Sequence, residues 1–200
     1  SYTIPAHNAP IPAEEVQAIK RDYRGFRERN KQQPFGVDFG ASNVSALAVS
    51  PADREREYEA RWARGGLAFL GAFGDLLFDR AANETAAEFI RRKIAGIVRD
   101  PALAAKLAPT QIVGCKRLCV DTGYYETFNR PNVALVDVAD SPIEAITPRG
   151  LRVAGVEHAF DCIVFATGFD AMTGALLKID VRGRGGLPLA RKWEAGPRTY

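Results

Sequence analysis

Cysteine and histidine are scarce in this chain: three of the first and two of the second in 200 residues. Cys115 and Cys119 bracket Lys116 and Arg117 with no histidine nearby, and Cys162 stands alone. No paired zinc spacing can be drawn from them, and an odd count points to reduced thiols in a cytoplasmic protein rather than a disulfide framework. His7 sits in a proline-rich stretch and His158 in an alternating one. Neither a metal cluster nor a Ser–His–Asp arrangement can be argued from two isolated imidazoles, so both read as structural or exposed and no metal is expected.

Phosphate-cradling glycine loops are missing too. Neither GxGxxG nor GxxxxGKS/T occurs, so the chain holds no self-contained nucleotide cradle. Arg182–Gly186 has the glycines but no expected helix after them. The longest apolar-looking stretch, Gly65 to Phe78, is broken by Asp75 and is too short to span a bilayer. No signal peptide is visible at the start. Basic residues number 27 against 24 acidic, interspersed, for a formal charge of +3. That bias is too small to suggest nucleic acid, and neither nucleic acid nor membrane is an expected partner. No internal repeat or low-complexity tract is found.

What is present is a globular composition, 46% hydrophobic and 26% charged, enough apolar content to build a core. The first residue is Ser rather than Met and the chain stops at GPRTY without closing an element, so an internal fragment is expected. The opening dozen residues hold three prolines and read as an extended connector. Val16, Ile19, Tyr23 and Phe26 recur at helical spacing and predict one amphipathic helix over Ala13 to Asn30. Proline and glycine break it between Lys31 and Ser42. Ser50-Pro51-Ala52-Asp53 is a helix start, with a cap serine, proline at the first helical position and an acid three residues on. That helix should stop at Gly65-Gly66. Further helices are predicted over Leu67 to Phe78 and Asn83 to Val98. The last has an apolar stripe of Phe89, Ile90, Ile94, Ile97 and Val98, with Arg91, Arg92 and Lys93 facing water. Asp100-Pro101 ends it and opens a short turn.

The second half changes character. Asn132 to Val138 has a strand pattern. Ile143 onward reads as two short strands around Pro148-Arg149-Gly150. Cys162 to Ala166 reads as a strand buried on both faces, ended by Thr167-Gly168. The fold class is therefore mixed α/β, a helical module followed by part of a sheet, without the βαβ series of a complete doubly wound fold.

Two places carry chemistry. Lys116 and Arg117 follow a glycine and precede an apolar Leu-Cys-Val, a setting in which backbone geometry can hold both heads near one spot. Lysine is a compact charge for a phosphate and arginine a permanent planar fork. A solvated basic pair is the plainer reading. Tyr124 and Tyr125 read as packing for a short helix opened by Asp121-Thr122. Phe165 to Asp170 ends a candidate strand in small residues, where backbone can approach a ligand, or else makes a tight turn.

GCKRLCVDTGYYETFNRPNVALVDV, DCIVFATGFDAMTGAL and KWEAGPRTY, with FGDLLFDRAANETAAEFIRRKIAGIVRDPALAAKLAP, together resemble the flavin-dependent Baeyer–Villiger monooxygenases of the cyclohexanone and phenylacetone monooxygenase type. The resemblance covers essentially the whole chain. It implies FAD and NADPH as cofactors, and insertion of one oxygen atom of O2 beside a ketone carbonyl by a flavin C4a-peroxide, giving an ester or lactone. It puts Arg117 at the catalytic arginine, Lys116 at the lysine meeting the 2′-phosphate of NADPH, and Ala166, Thr167 and Gly168 at a crossing close to the cofactors.

It also implies a division into residues 1–12 as connector, 13–110 as helical insertion of the NADPH domain, 111–140 as the end of that domain, and 141–200 as the return into the FAD domain. The family's two glycine fingerprints, its histidine-containing signature, the arginine's acidic partner and its C-terminal loop have no counterpart in these residues. The chain alone is therefore expected to be inactive. An N-hydroxylating or sulfoxidising flavin monooxygenase and a non-catalytic interaction module stay open as alternatives.

Overall fold

The computed structural model describes residues 2–7, 9–33, 36–37, 40–139 and 141–198. They form two compact units, residues 1–137 and 138–200.

The first unit is built on a parallel pair, β1 (Thr3–Pro5) with β2 (Cys119–Asp121), in the register Thr3 with Cys119 and Ile4 with Val120. Parallel strands cannot be joined by a tight turn, and the whole helical block is the connection between them. The opening residues are thus extended as expected, but they are not merely a connector. Tyr2 and Ile4 are buried in the core, and the Tyr2 hydroxyl donates to Gln111 O at 2.7 Å.

The single helix expected over Ala13 to Asn30 is two, α1 (Ala13–Arg21) and α2 (Tyr23–Lys31). Asp22 leaves helical geometry at φ −127°, ψ 45°, and its carboxylate caps α2 by accepting from Gly25 N. An aspartate that can bond its own downstream backbone competes with helix continuation. Of the break expected next, Pro34, Phe35, Asp38 and Phe39 lie outside the described residues.

Helix α3 (Pro51–Arg64) starts as its sequence predicts: the Ser50 hydroxyl accepts from Asp53 N at 3.2 Å. It ends at Gly65, where φ is +73° and a Cβ would lie 2.4 Å from Pro5 O. Leu67 to Phe78 is not an α-helix but a 3-10 turn (Gly66–Gly71) followed by further turns. Close approach of another segment explains the difference, because a Cβ on Gly74 would meet Ser42 O at 2.8 Å. Asp75 ties the same loop down by accepting from Ala46 N at 3.0 Å. Burial alone would push its carboxyl up, but hydrogen bonds from Ser45 and the Ala46 N–H hold it below the usual range.

Helix α4 (Arg80–Ile97) is capped by Asp79, which accepts from Ala82 N at 2.9 Å, and α5 (Pro101–Leu107) by Asp100. Tyr58 of α3 packs its ring 5.5, 5.4 and 5.3 Å from Phe69, Phe73 and Phe89, with Trp62 6.0 Å from Phe89. Such ring clusters add about 0.5–1.5 kcal/mol per pair beyond the area they bury. Arg92 faces water, whereas Arg91 and Lys93 are half-buried. Lys93 pairs with Glu59 of α3 at 2.7 Å and covers the Phe89 ring. A four-residue helix, α6 (Tyr124–Thr127), follows β2.

The second unit is an antiparallel meander of β3 (Ile143–Thr147), β4 (Gly150–Val153) and β5 (Val156–Ala159). Its first hairpin matches the predicted turn, where Thr147 Oγ1 accepts from Gly150 N at 3.0 Å. Short helices α7 (Gly174–Leu177) and α8 (Leu189–Lys192) come later, the second a few residues beyond Arg182–Gly186, where none was expected.

Two predicted strands are absent. Asn132 to Val138 and Cys162 to Ala166 are irregular, and Val164 and Phe165 are 83% and 66% exposed. Their apolar patterns suit burial, but a strand needs a neighbour for its backbone groups. Among the described residues none pairs with either. The mixed α/β class holds.

Candidate functional site

Lys116 and Arg117 lie on a short loop pinned at both ends. At its start Val113 is 1% exposed. The Asn83 side chain in the first turn of α4 accepts from Val113 N and donates to Val113 O, both at 2.9 Å. The same Asn83 amide donates to Leu76 O at 2.7 Å. Gly114 then takes φ +90°, a left-handed conformation open to glycine. Cys115 N bonds back to Ile112 O at 3.2 Å, and Lys116 bridges to Val113. At the far end Leu118 is buried, and Cys119 N donates to Tyr2 O at 3.1 Å.

Both cationic side chains are exposed, and among the described residues neither has an ion pair or side-chain hydrogen bond. Two adjacent positive charges on a tied-down loop can attract an anion, with lysine as a point charge and arginine as a fork.

Beside the loop, the Tyr125 hydroxyl accepts from Thr3 N at 3.3 Å, and burial pushes its pKa up. Tyr125 is core, as expected. Tyr124 is 43% exposed and packs edge-on against Tyr125 and Phe128. An open cleft of about 260 Å³ lies at the carboxyl end of the β1–β2 pair, lined by Ala6, His7, Arg64, Gly65, Gly66 and Val120. All three cysteines are free and exposed. Among the described residues no cluster of His, Cys, Asp or Glu could hold a metal, and no helix is long and apolar enough to cross a membrane.

Ala166, Thr167 and Gly168 belong to the second unit, in the exposed irregular run between β5 and α7. Gly168 has φ +83° and open space around it. The strand expected to deliver these three residues is therefore absent, whereas Lys116 and Arg117 lie exposed side by side on one loop of the first unit.

Sequence reasoning missed Asn83 and the constraint on Gly114. Asn83 left a signal, as an amide on the apolar face of a helix between Ala82 and Ala86. Such a residue needs partners, and the sequence does not say which.

No family model matches the chain. A Baeyer–Villiger monooxygenase of Pseudooceanicola batsensis is 40% identical over 100% of this chain and 37% of its own length. A phenazine N-monooxygenase of Lysobacter antibioticus is 38% identical over the same shares. Among solved structures, a cyclohexanone monooxygenase mutant from Rhodococcus bound to NADP+ matches with a TM-score of 0.90 and 44% identity, over 100% of this chain and 38% of that one. The chain thus spans little more than a third of the relatives it matches. By sequence over its whole length and by backbone, it is similar to a part of Baeyer–Villiger monooxygenases.

Proposed function

We propose that this chain is the part of an FAD- and NADPH-dependent monooxygenase that inserts one oxygen atom of O2 beside a ketone carbonyl, giving an ester or lactone. The observation that carries the reading is the pinned Lys116–Arg117 loop, with both cations free of acidic partners among the described residues. When bound, FAD supplies the oxygen-activating chemistry and NADPH the electrons.

The residues present fit part of such a pair of cofactors. They offer fixed cations for phosphate and for reaction charge, but no glycine cradle for a pyrophosphate. Lys116 would meet the 2′-phosphate that separates NADPH from NADH. Arg117 would hold a fixed positive charge where the attacking oxygen is anionic, stabilisation that needs no reorganisation at the moment of reaction. Ala166, Thr167 and Gly168 would offer backbone to the cofactors; the left-handed Gly168 supports close approach. A reducing compartment such as the cytoplasm suits the three free, exposed thiols.

The test is Arg117→Ala in the oxygenase that contains this chain. Lactone formation should fall by about 10²-fold or more, as when an oxyanion donor is lost, while flavin reduction by NADPH continues. Lactone formation near the wild-type rate would refute the role. A second reading, oxygenation at nitrogen, is favoured by the phenazine N-monooxygenase relative. It needs no catalytic arginine, so N-oxide formation surviving Arg117→Ala would select it.

A further inference from the structure

We infer that Asn83 is a positioning residue for the cation loop, setting where Lys116 is presented and thereby the preference for a 2′-phosphorylated nicotinamide dinucleotide. The inference rests on the reading of Lys116 given above.

Asn83 spends its amide entirely outside its own helix. It takes both backbone groups of Val113 and the carbonyl of Leu76, three buried bonds of 2.9, 2.9 and 2.7 Å. Asn83 itself is 3% exposed. In effect the side chain stands in for a strand partner, satisfying the donor and acceptor of one residue where no second strand is present. Among the described residues no other side chain bonds Val113.

Lys116 is coupled to this anchor directly, because its backbone bridges to Val113 itself. Arg117 sits nearer the other anchor, next to buried Leu118 and the Cys119–Tyr2 bond. The two cations are therefore held from opposite ends. Removing Asn83 releases the end that carries Lys116 and leaves the β2 end in place. The consequence is a split: the 2′-phosphate contact suffers while the role of Arg117 is largely kept. A purely structural residue would affect both cofactors and both steps alike.

Two experiments test this with Asn83→Ala and with Asn83→Asp. The latter keeps an acceptor for the Val113 N–H but sets a carboxylate against two carbonyl oxygens. In the present chain, trypsin should cut after Lys116 and Arg117 about tenfold faster than in wild type, because cleavage follows the population of the open loop, with little change after Arg64. In the oxygenase containing this chain, KM for NADPH should rise about fivefold or more. KM for NADH and kcat at saturating NADPH should change less than about twofold, the signature of lost ground-state binding.

Unchanged cleavage at the loop overturns the anchoring. Faster cleavage with an unchanged ratio of the two KM values, or an equal rise in both, overturns the link to cofactor preference. Lys116→Ala is run alongside. If it leaves the ratio untouched, the reading of Lys116 fails by itself, and the cleavage experiment still decides whether Asn83 holds the loop.

Discussion

Replacing Lys116 with alanine removes one unit charge from a loop whose backbone is held by other groups, so the perturbation is mainly electrostatic. Lys116 is exposed and has no acidic partner among the described residues. Its ammonium therefore acts in a medium close to water. Two unit charges 4 Å apart attract by about 1 kcal/mol there, and by about 4 kcal/mol at an effective dielectric of about 20. A phosphate monoester carries a charge of about −1.5 to −2 near pH 7. The water-like limit thus predicts a loss of about 2 kcal/mol, or roughly 30-fold in affinity for the 2′-phosphate. NADH has no such group and should lose almost nothing.

The assay is initial-rate oxidation of NADPH and of NADH by the oxygenase containing this chain, wild type against Lys116→Ala. The discrimination should shrink as salt is raised, since the Debye length is only about 10 Å at 0.1 M. A matching loss for both cofactors would refute the reasoning, as would a wild-type ratio that does not respond to ionic strength.

Two further expectations concern the fold. Burial pushes the Tyr58 hydroxyl up to about 12, partly offset by its hydrogen bond to Thr85 and by Arg54. An unfolded tyrosine ionises near 10, so the contribution of Tyr58 is complete below about pH 10 and falls by about 1.4 kcal/mol per pH unit between about 10 and 12. The difference in urea stability between wild type and Tyr58→Phe should shrink over that window, and a constant difference would disprove the shift. Gly150→Ala would place a Cβ 1.9 Å from the backbone oxygen of His158. It should cost roughly 1–3 kcal/mol, as overpacking does. Amide protection should drop across β4 and β5 but not in the first unit, and hydrogen exchange that leaves the hairpin intact would count against the close approach.

The elements that were legible in sequence are those whose signals are local. Ser50-Pro51-Ala52-Asp53 and the stripe of α4 each declare a helix within a few residues, as Pro148-Arg149-Gly150 declares a turn, whereas the short turn expected after Asp100-Pro101 is the helix α5. The single helix over Ala13 to Asn30 failed because the apolar spacing continues through Asp22, while the carboxylate of Asp22 caps a new start. Cys162 to Ala166 failed for a different reason: its pattern reports how apolar a strand would be, not whether a partner lies beside it.

The same division runs through the site. The sequence by itself singled out the adjacent cations and the family they resemble, because residue identity and order suffice for that. Tertiary structure alone decided that the proline-rich start is a core strand, and that Asn83 holds the Lys116 end of the loop from a distant helix. Both depend on hydrogen bonds between residues far apart in the chain, Tyr2 with Cys119 and Asn83 with Val113. Such pairings are set by which buried donors and acceptors meet on folding, and no local pattern encodes that meeting.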